Sequence, residues 1–370
     1  MMDVHKAQQI IQAAIPVLGC ESVPLLESLG RVLARDIVAT EDSPGTDIST
    51  KDGFALHHES LAGASPQSPV FLKIIGESAA GRPCEAAVKA GEAVRIMAGG
   101  MVPDGADTVV GLEVVTEDHG YVVCTSAPKR GGSVRQRGAL LKNGETVFRA
   151  GMVVGPAEVG VLASLRRAYV PVHRRPLVAI ATTGDELADF HEPASPSKTM
   201  SSNLYALAAQ VLEAGAVPLC IGIVGDELET LQTHLREALH ADVIITSGGM
   251  SKGRYDLVRE TFAALGMDMN LSTLLGKPGK PAIFGKIGAS LVFGLPGSPP
   301  AAMISFEQFI RPAILRMMGH AQVPSRSAAN DCQEGTGDGL FSLYQLFKQG
   351  RAAMPAENGP SPIPLRMSSP

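Results

Sequence analysis

The sequence predicts an α/β protein: a three-layer α/β domain with a parallel-rich sheet, a small inserted β-rich domain, and an N-terminal helical and extended domain. In residues 173–323, runs of β-forming residues alternate regularly with amphipathic helical segments, which is typical of an α/β domain. In residues 46–140, short apolar runs are separated by Gly, Pro and Asp, which predicts a small β-rich domain. The flanking segments, 1–45 and 141–172, are expected to pack together, which makes the β-rich domain an insertion.

Length and composition narrow the class of protein. At 370 residues the chain is too long for one ordinary hydrophobic core, so two or three domains are expected. The formal charge of −5 argues against a nucleic-acid-binding scaffold, and no apolar run approaches the roughly 20 residues of a membrane span. The five cysteines are scattered without any C-x-x-C, and the N-terminus lacks a signal-peptide pattern, so a cytoplasmic protein with reduced thiols is expected.

The N-terminal half is expected to contain helices first and strands later. Apolar residues at helical spacing predict a helix over residues 3–18, with Asp3 as its N-cap, and a short helix over residues 25–29 that stops at Gly30. A helix that starts with proline is expected at Pro156–Leu165. The strands of the β-rich domain are predicted at Val70–Ile75, Ala93–Ile96, Thr108–Val110 and Tyr121–Cys124.

In the α/β domain, strands and helices are expected in alternation. Strands are predicted at Pro176–Ala181, Val217–Val224, the run that starts at Asp242, and Leu291–Leu295. Helices are predicted at residues 202–214, after Asp226 as N-cap, at residues 256–265, and from the Pro296–Pro300 turn through Met318. Ligands of such sheets bind outside the carboxyl ends of the strands, so the loops that follow the strands are candidate binding loops.

The most informative stretch runs from Asp242 to Asp256. Four β-forming residues lead into a loop rich in Gly and Ser, and a helical run follows. Such a loop at a helix N-terminus forms an anion cradle, because glycines let the backbone N–H groups approach a phosphate. Asp256, at the start of the helix, is placed to hold a metal ion that neutralises the same phosphate. A plain strand-loop-helix turn is the alternative interpretation of this stretch taken alone.

Other loops of the domain carry groups suited to an anionic substrate. They contain Glu186, Asp226, a proline-stiffened loop Lys277–Pro281, and a second glycine-bearing turn. Lysines and backbone amides bind phosphate or an oxyanion, and carboxylates bind Mg²⁺, so the set predicts phosphoryl or nucleotidyl transfer or metal-assisted handling of an anion. Each group also has a structural interpretation, as a helix cap, a solvated charge or a stiffened turn. A P-loop and a dinucleotide-binding motif are both absent.

These motifs together resemble the molybdopterin molybdenumtransferase family, which inserts molybdenum in molybdenum cofactor synthesis. The blocks that carry the resemblance are Leu25–Ala34, Ser49–Ala55, Arg95–Asp107, Thr183–Leu187, Ser247–Asp256, Lys277–Pro281 and Gly294–Pro299. The resemblance implies a molybdopterin-binding-type α/β domain and an enzyme that takes adenylylated molybdopterin and molybdate and releases AMP with Mg²⁺. It also implies a homodimer in which the β-rich domain of one subunit faces the α/β domain of the other. Molybdopterin adenylyltransferase and molybdoenzyme acceptors are the implied protein partners.

Residue roles are carried over from the family by position. The implied magnesium ligands are Asp226 and Asp256. The other implied catalytic groups are Glu186, Lys277 and Lys280, together with Asp52 from the second subunit. The implied contacts to the pterin nucleotide are Thr183, Gly184, Asp185, Ser247, Gly248, Gly249, Ser251, Gly279, Pro281, Gly297 and Ser298. The Asp52-Gly53 pair is explained equally well by a β-turn.

Several positions depart from the family pattern. Methionine is usual in the family at the position of Lys51, Thr-Gly-Ala at Ala98–Gly100, Gly-Glu-Asp at Gly138–Leu140, and asparagine at Ser298. The family's C-terminal β-barrel domain is not recognisable in residues 324–370, which are expected to form a disordered tail. Weakened activity is therefore expected. Two alternative functions stay open: a catalytically impaired molybdopterin-binding or carrier protein, and a molybdopterin adenylyltransferase.

Overall fold

A computed structural model describes most of the chain. The described ranges are 4–193, 195–248, 255–267, 273–275 and 282–321, and the side chains of residues 4–7, 255–256 and 273–275 are not included. The chain divides into two compact units. The first, here called the α/β unit, comprises Met1–Ala34, Val153–Val159 and Tyr169–Pro370. The second, called the β-rich unit, comprises Arg35–Met152 and Gly160–Ala168. The finer fourfold division and the C-terminal tail expected from the sequence stay predictions.

Strands dominate the N-terminal half of the described chain, and strands and helices alternate in the C-terminal half. The α-helices are α1 Val4–Ala14, α2 Pro156–Ser164, α3 Ser202–Glu213, α4 Leu228–Glu237, α5 Tyr255–Ala264, α6 Pro299–Ser305 and α7 Arg311–Met317. The strands are β1 Cys20–Pro24, β2 Ile37–Val38, β3 Ile48–Ser49, β4 Gly53–Leu56, β5 Val70–Ser78, β6 Glu92–Ile96, β7 Thr108–Gly111, β8 Val115–Asp118, β9 Tyr121–Cys124, β10 Val134–Arg135, β11 Thr146–Phe148, β12 Tyr169–His173, β13 Leu177–Thr183, β14 Leu187–Ala188, β15 Thr199–Met200, β16 Val217–Val224, β17 Val243–Gly248, β18 Thr273–Leu275, β19 Ala282–Ile287 and β20 Ser290–Leu295.

The α/β unit is built on a six-stranded sheet with the strand order β16-β13-β17-β20-β19-β18. The first four strands are parallel, and β19 and β18 are antiparallel. Side chains of β13 alternate between the two faces: Val178 and Ile180 pack with α1, α3, α6 and α7, whereas Ala179 and Ala181 pack with α4 and α5. Apolar layers on both faces explain why these strands read as continuous hydrophobic runs. The predicted three-layer α/β class with a parallel-rich sheet is confirmed.

Two helices of this unit differ from their sequence predictions. Helix α1 ends at Ala14, short of residue 18, because Pro16 disfavours the helical conformation of the residue before it. The chain beyond it still packs on the sheet: Ile15 and Leu18 are buried, and the N–H of Leu18 donates to the carbonyl of Met317 at 2.8 Å. The long C-terminal helix is interrupted by one turn of π-helix at Phe306–Ile310, between α6 and α7.

The β-rich unit contains a second six-stranded sheet, with the order β7-β4-β6-β5-β9-β8. Only the β5–β6 pair of this sheet is parallel. A Cβ placed on Gly53, the first residue of β4, would lie 2.0 Å from the carbonyl oxygen of Val110 in β7, so the two strands approach too closely for any side chain. The small strand pairs β2–β11 and β3–β10 belong to the same unit, and β1–β12 and β14–β15 belong to the α/β unit.

Within the ranges that the structure describes, no helix combines the length and the apolar character needed to cross a membrane.

Candidate active site at the strand ends of the α/β unit

The four parallel strands bring their following loops to one edge of the sheet. Thr183, the last residue of β13, is level with Val224 at the end of β16 and with Gly248 at the end of β17. Ser247 is level with Leu295, the last residue of β20. The loops that begin at residues 184, 225 and 296 and the end of β17 at Gly248 therefore lie on the same side of the sheet. We call this side the strand-end edge.

Two carboxylates are paired at the strand-end edge through backbone hydrogen bonds. The N–H of Asp226 donates to Oδ1 of Asp185 at 3.1 Å, and the N–H of Asp185 donates to Oδ2 of Asp226 at 3.4 Å. This pairing joins the loop after β13 to the loop after β16. Asp226 was expected to cap α4, and this is wrong: Glu227 is the N-cap residue, and it makes no side-chain capping bond. The Asp226 carboxylate accepts the N–H of Asp185.

Glu186 follows Asp185 in the same loop, and its carboxylate folds back over Gly184. A Cβ placed on Gly184 would lie 2.6 Å from that carboxylate, and Gly184 has φ of +147°, so a side chain there would displace Glu186. The carbonyl of Glu186 accepts the N–H of Thr199 at 2.7 Å, which ties the loop to β15. The Glu186 carboxylate can therefore take this position only because residue 184 has no side chain.

The end of β17 approaches the end of β13 at a distance that only glycine permits. Gly248 has φ of +103°, and a Cβ on it would lie 2.3 Å from the carbonyl oxygen of Thr183. The turn after β20 lies against the same residue, since a Cβ on Gly297 would be 3.4 Å from the Cα of Gly248. Ser298, the next residue, is the N-cap of α6 without a side-chain capping bond. Backbone from three loops thus comes together without intervening side chains, as an anion cradle requires.

The structure shows supporting residues that the sequence analysis did not single out. The hydroxyls of Thr182 and Ser201 are 2.8 Å apart and buried, and Nδ2 of Asn203 lies 2.9 Å from Oγ of Ser247. One signal was available: Asn203 lies four residues before Leu207 on the apolar stripe of α3, where a polar residue needs a buried partner.

Some side-chain oxygens at the strand-end edge are buried without a partner. In the part of the chain that the structure describes, Thr183 Oγ1, Thr246 Oγ1 and Asn203 Oδ1 have no hydrogen-bond partner. Thr183 is the last residue of β13, and Thr246 lies two residues before the end of the neighbouring strand β17. Buried polar atoms are normally satisfied, so groups of this kind indicate a place for water or a polar ligand.

The remaining candidates fall into two groups. Gly249, Ser251, Lys277, Gly279, Lys280 and Pro281 lie outside the described residues, as does the side chain of Asp256, whose backbone belongs to α5. Asp52 lies in the β-rich unit, where its Oδ1 accepts the N–H of Ala98 at 2.7 Å. The roles of all these residues stay predictions.

The neighbour of Asp52 forms an exposed ion pair. Nζ of Lys51 lies 2.6 Å from Oε1 of Glu113, and both side chains are more than half exposed. The hydrogen bond from Lys51 lowers the pKa of Glu113, with a smaller contribution from the charge of Lys51. Lys51, which departs from the family pattern, is therefore held beside Asp52 by an acid of the neighbouring loop.

The donor chemistry at the strand-end edge fits a magnesium ion. Mg²⁺ prefers hard oxygen ligands and usually binds through one or two carboxylates plus phosphate oxygens and water. Asp185 and Asp226 supply carboxylates from adjoining loops. Among the described residues no group of three or more metal-binding side chains is found, so a metal here would need oxygens from a ligand or from residues outside that part.

Comparisons with family models cover both parts of the chain. Residues 2–165 match the model described as "MoeA N-terminal region (domain I and II)". Residues 179–316 match the model described as "Probable molybdopterin binding domain".

Similar proteins share most of the chain. A molybdopterin molybdenumtransferase of Nostoc sp. is 36% identical over 330 residues, covering 87% of this chain and 76% of the relative. A molybdopterin molybdenumtransferase 2 of Mycobacterium tuberculosis is 35% identical over 325 residues, covering 86% and 80%. Among solved structures, a molybdopterin biosynthesis MoeA protein from Pyrococcus horikoshii has a TM-score of 0.77 at 31% identity, with 87% of this chain and 81% of that chain covered.

Proposed function

The chain belongs to the molybdopterin molybdenumtransferase family, and from this premise we propose that its strand-end edge binds adenylylated molybdopterin. The protein is a transferase of molybdenum cofactor biosynthesis, and it contains a molybdopterin-binding domain. In the proposed reaction, molybdate and adenylylated molybdopterin are substrates, the nucleotide is hydrolysed with Mg²⁺, and AMP leaves as molybdenum is transferred.

One observation carries the proposal: four parallel strands end at one side of the sheet, and glycines at the end of β17 and in the turn after β20 bring backbone segments together there. Gly248 lies against Thr183, and Gly297 lies against Gly248. Since no side chain separates these segments, a phosphate can approach the backbone N–H groups closely. The lysines Lys277 and Lys280 are proposed for molybdate, because an ammonium group binds a compact oxyanion as a point charge.

The residues of the edge divide the proposed work between them. Asp226 and Asp185, with Asp256 from α5, would hold Mg²⁺, which when bound neutralises phosphate charge and makes the AMP group a better leaving group. Their reciprocal hydrogen bonds fix the two loops relative to each other. Glu186, held over Gly184, is proposed to orient the attacking water and take its proton. The cradle at Ser247-Gly248 and Gly297-Ser298 is proposed to bind the nucleotide.

Release of AMP tests the proposal. The full chain is incubated with adenylylated molybdopterin, molybdate and Mg²⁺, and AMP and metal-loaded pterin are measured separately. AMP release that needs Mg²⁺ and falls at least tenfold in Asp226→Asn supports the proposal. Glu237→Gln, the same kind of substitution at the exposed last residue of α4, is the control and should leave the rate unchanged. Absence of AMP release under every condition would remove the enzymatic function.

A carrier role is the second candidate, favoured by the departures from the family pattern. Where the family has an acid, this chain has Leu140, whose side chain is 59% exposed and supplies no charge. A carrier would bind the pterin tightly without releasing AMP, so the same assay separates the two functions. Consumption of ATP with free molybdopterin would instead indicate an adenylyltransferase.

Asp52 is proposed to act in a cytoplasmic homodimer, as a residue that one subunit contributes to the site of the other. Its carboxylate is already oriented by the amide of Ala98. Mixing an Asp52→Ala subunit with an Asp226→Ala subunit tests this arrangement. Because each mixed dimer would retain one intact site, part of the activity should return on mixing. No recovery, in subunits shown to exchange, would contradict it.

A further inference from the structure

Asn203 connects the end of β17 with the turn after β20 at the strand-end edge. It lies in the first turn of α3 and is only 9% exposed. Its Nδ2 donates to Oγ of Ser247, at 2.9 Å, and to the carbonyl of Gly297, at 2.8 Å. Ser247 precedes the loop after β17, and Gly297 lies in the turn after β20. One side chain therefore ties two loops that are far apart in sequence.

The orientation of this amide is determined by its partners. Oγ of Ser247 donates its hydrogen to the carbonyl of Pro296 at 3.1 Å, so it can only accept from Asn203. The carbonyl of Gly297 can also only accept. Both partners need a donor, and Nδ2 has two hydrogens, so the NH₂ group must face them. Neither Asp nor a small residue can replace this double donation.

The end of β17 and the turn after β20, which Asn203 connects, also lie close to each other. A Cβ on Gly297 would lie 3.4 Å from the Cα of Gly248, the residue after Ser247. Within 4 Å of that position the neighbouring atoms are backbone atoms of Gly248, so no side chain lies between the two backbones at this point. The bonds from Asn203, together with the bond from Ser247 to Pro296, fix the spacing of the backbone groups that form the cradle.

We infer that Asn203 is a positioning residue, which holds the Ser247-Gly248 and Gly297 backbones at the separation that a nucleotide phosphate requires. The inference rests on the proposed function for its ligand, and on the hydrogen bonds of Asn203 for its geometry. Small errors in the placement of binding groups reduce affinity and rate strongly, so loss of Asn203 should act mainly on the ligand.

The same helix provides a matched control. Gln210 lies two turns further along α3 and is 7% exposed. Its Nε2 donates to the carbonyl of Met303, at 3.3 Å, and to Oε1 of Glu307, at 3.0 Å. These bonds tie α3 to α6 and the π-helical turn, away from the strand-end edge. Asn203→Ala and Gln210→Ala thus each remove two hydrogen bonds donated by a buried amide side chain, and only Asn203→Ala affects the cradle.

The experiment compares wild type with Asn203→Ala, Asn203→Asp and Gln210→Ala. Titration calorimetry with AMP and Mg²⁺ gives the affinity, thermal unfolding gives the stability, and amide hydrogen exchange without ligand reports on residues 247–248 and 297–298. Both alanine variants should lower the melting temperature by a few degrees, because each loses two hydrogen bonds of a buried amide side chain. Only the Asn203 variants should bind AMP more weakly, by about tenfold or more, and exchange faster at both loops.

Several results would overturn the inference. One is AMP affinity in Asn203→Ala that matches Gln210→Ala. Another is wild-type affinity in Asn203→Asp, which keeps the side-chain size but cannot donate. If wild type itself fails to bind AMP, the proposed function fails. The geometry is then judged by exchange alone: faster exchange at both loops in Asn203→Ala supports the positioning role, and unchanged exchange refutes it.

Discussion

The two six-stranded sheets of this protein arrange polar groups in different ways. In the α/β unit, four parallel strands end at one side of the sheet, and several polar side chains beneath that side are buried, some of them bonded to one another, as Thr182 is to Ser201. In the β-rich unit, the charged groups near Asp52 are exposed and pair locally, as Lys51 does with Glu113. The order of the parallel strands brings the first set of polar groups together, whereas contacts between individual side chains hold the second set. Changes at the edge of the α/β sheet should therefore be much more costly.

Gly248→Ala should have the largest effect. The new Cβ would lie 2.3 Å from the carbonyl oxygen of Thr183, and the residue would keep φ of +103°. Strain of that backbone conformation and the clash together should cost about 3 kcal/mol or more. Gly222→Ala is the control, because Gly222 has φ of +111° but no atom within 4 Å of its Cβ. Chemical denaturation should show a clearly smaller loss for Gly222→Ala. Equal losses of unfolding free energy in the two variants would mean that the close approach of β13 and β17 adds nothing to the cost of a side chain at position 248.

Asp242→Asn tests the opposite end of the same sheet, where the parallel strands begin. Both carboxylate oxygens of Asp242 accept from the Arg174 guanidinium, at 2.7 and 2.6 Å, and Oδ2 also accepts the N–H of Leu177. Loss of this charged, bidentate pair should cost about 1–2 kcal/mol, since Arg174 is partly exposed. AMP affinity should be unchanged, because these residues lie at the starts of the strands. A strong loss of AMP affinity would show that the two edges are coupled.

Acid pH should weaken the α/β unit through the same residue. Burial alone would raise the pKa of Asp242, but the hydrogen bond from Arg174, the N–H of Leu177 and the Arg174 charge lower it below its ordinary value of 3.8. The ionised carboxylate therefore stabilises the folded state fully above that value. The contribution is lost as the pH falls from 3.8 through the lower pKa of the folded state. Unfolding measured from pH 6 to pH 2 should show a shallower acid loss in Asp242→Asn. Identical pH profiles would exclude Asp242 as a source of that loss.

Glu113→Gln in the β-rich unit should have the smallest effect. The Lys51–Glu113 pair is more than half exposed on both sides, and such pairs are worth at most about 1 kcal/mol and are screened by salt. Thermal unfolding at low and high salt should therefore differ little between Glu113→Gln and wild type. A large loss would contradict the contrast between the two sheets.

Regular elements were predicted well where the pattern is local. Strands Val217–Val224 and Tyr121–Cys124 were predicted with the observed bounds, because β-forming runs between turn residues are a local signal. The loops after the strands could be assigned to one edge for the same reason, since parallel order follows from alternation of strands and helices. The fold class that this alternation predicts is confirmed by the structure.

Details of the site were less predictable because they depend on distant partners. Asn203 bonds to residues 44 and 94 positions away, and no local pattern predicts which residues those are. The expected cap Asp226 was wrong because Asp185, 41 positions away, provides a competing amide. The roles of Lys277, Lys280 and the other residues beyond the described ranges stay predictions.

Amide hydrogen exchange with and without saturating AMP and Mg²⁺ shows whether the strand-end edge binds the nucleotide. If the nucleotide binds there, exchange slows in four separate segments together, residues 183–186, 225–226, 247–248 and 297–298. Protection confined to other parts of the chain, or no protection at AMP concentrations that calorimetry shows to be saturating, would contradict nucleotide binding at this edge.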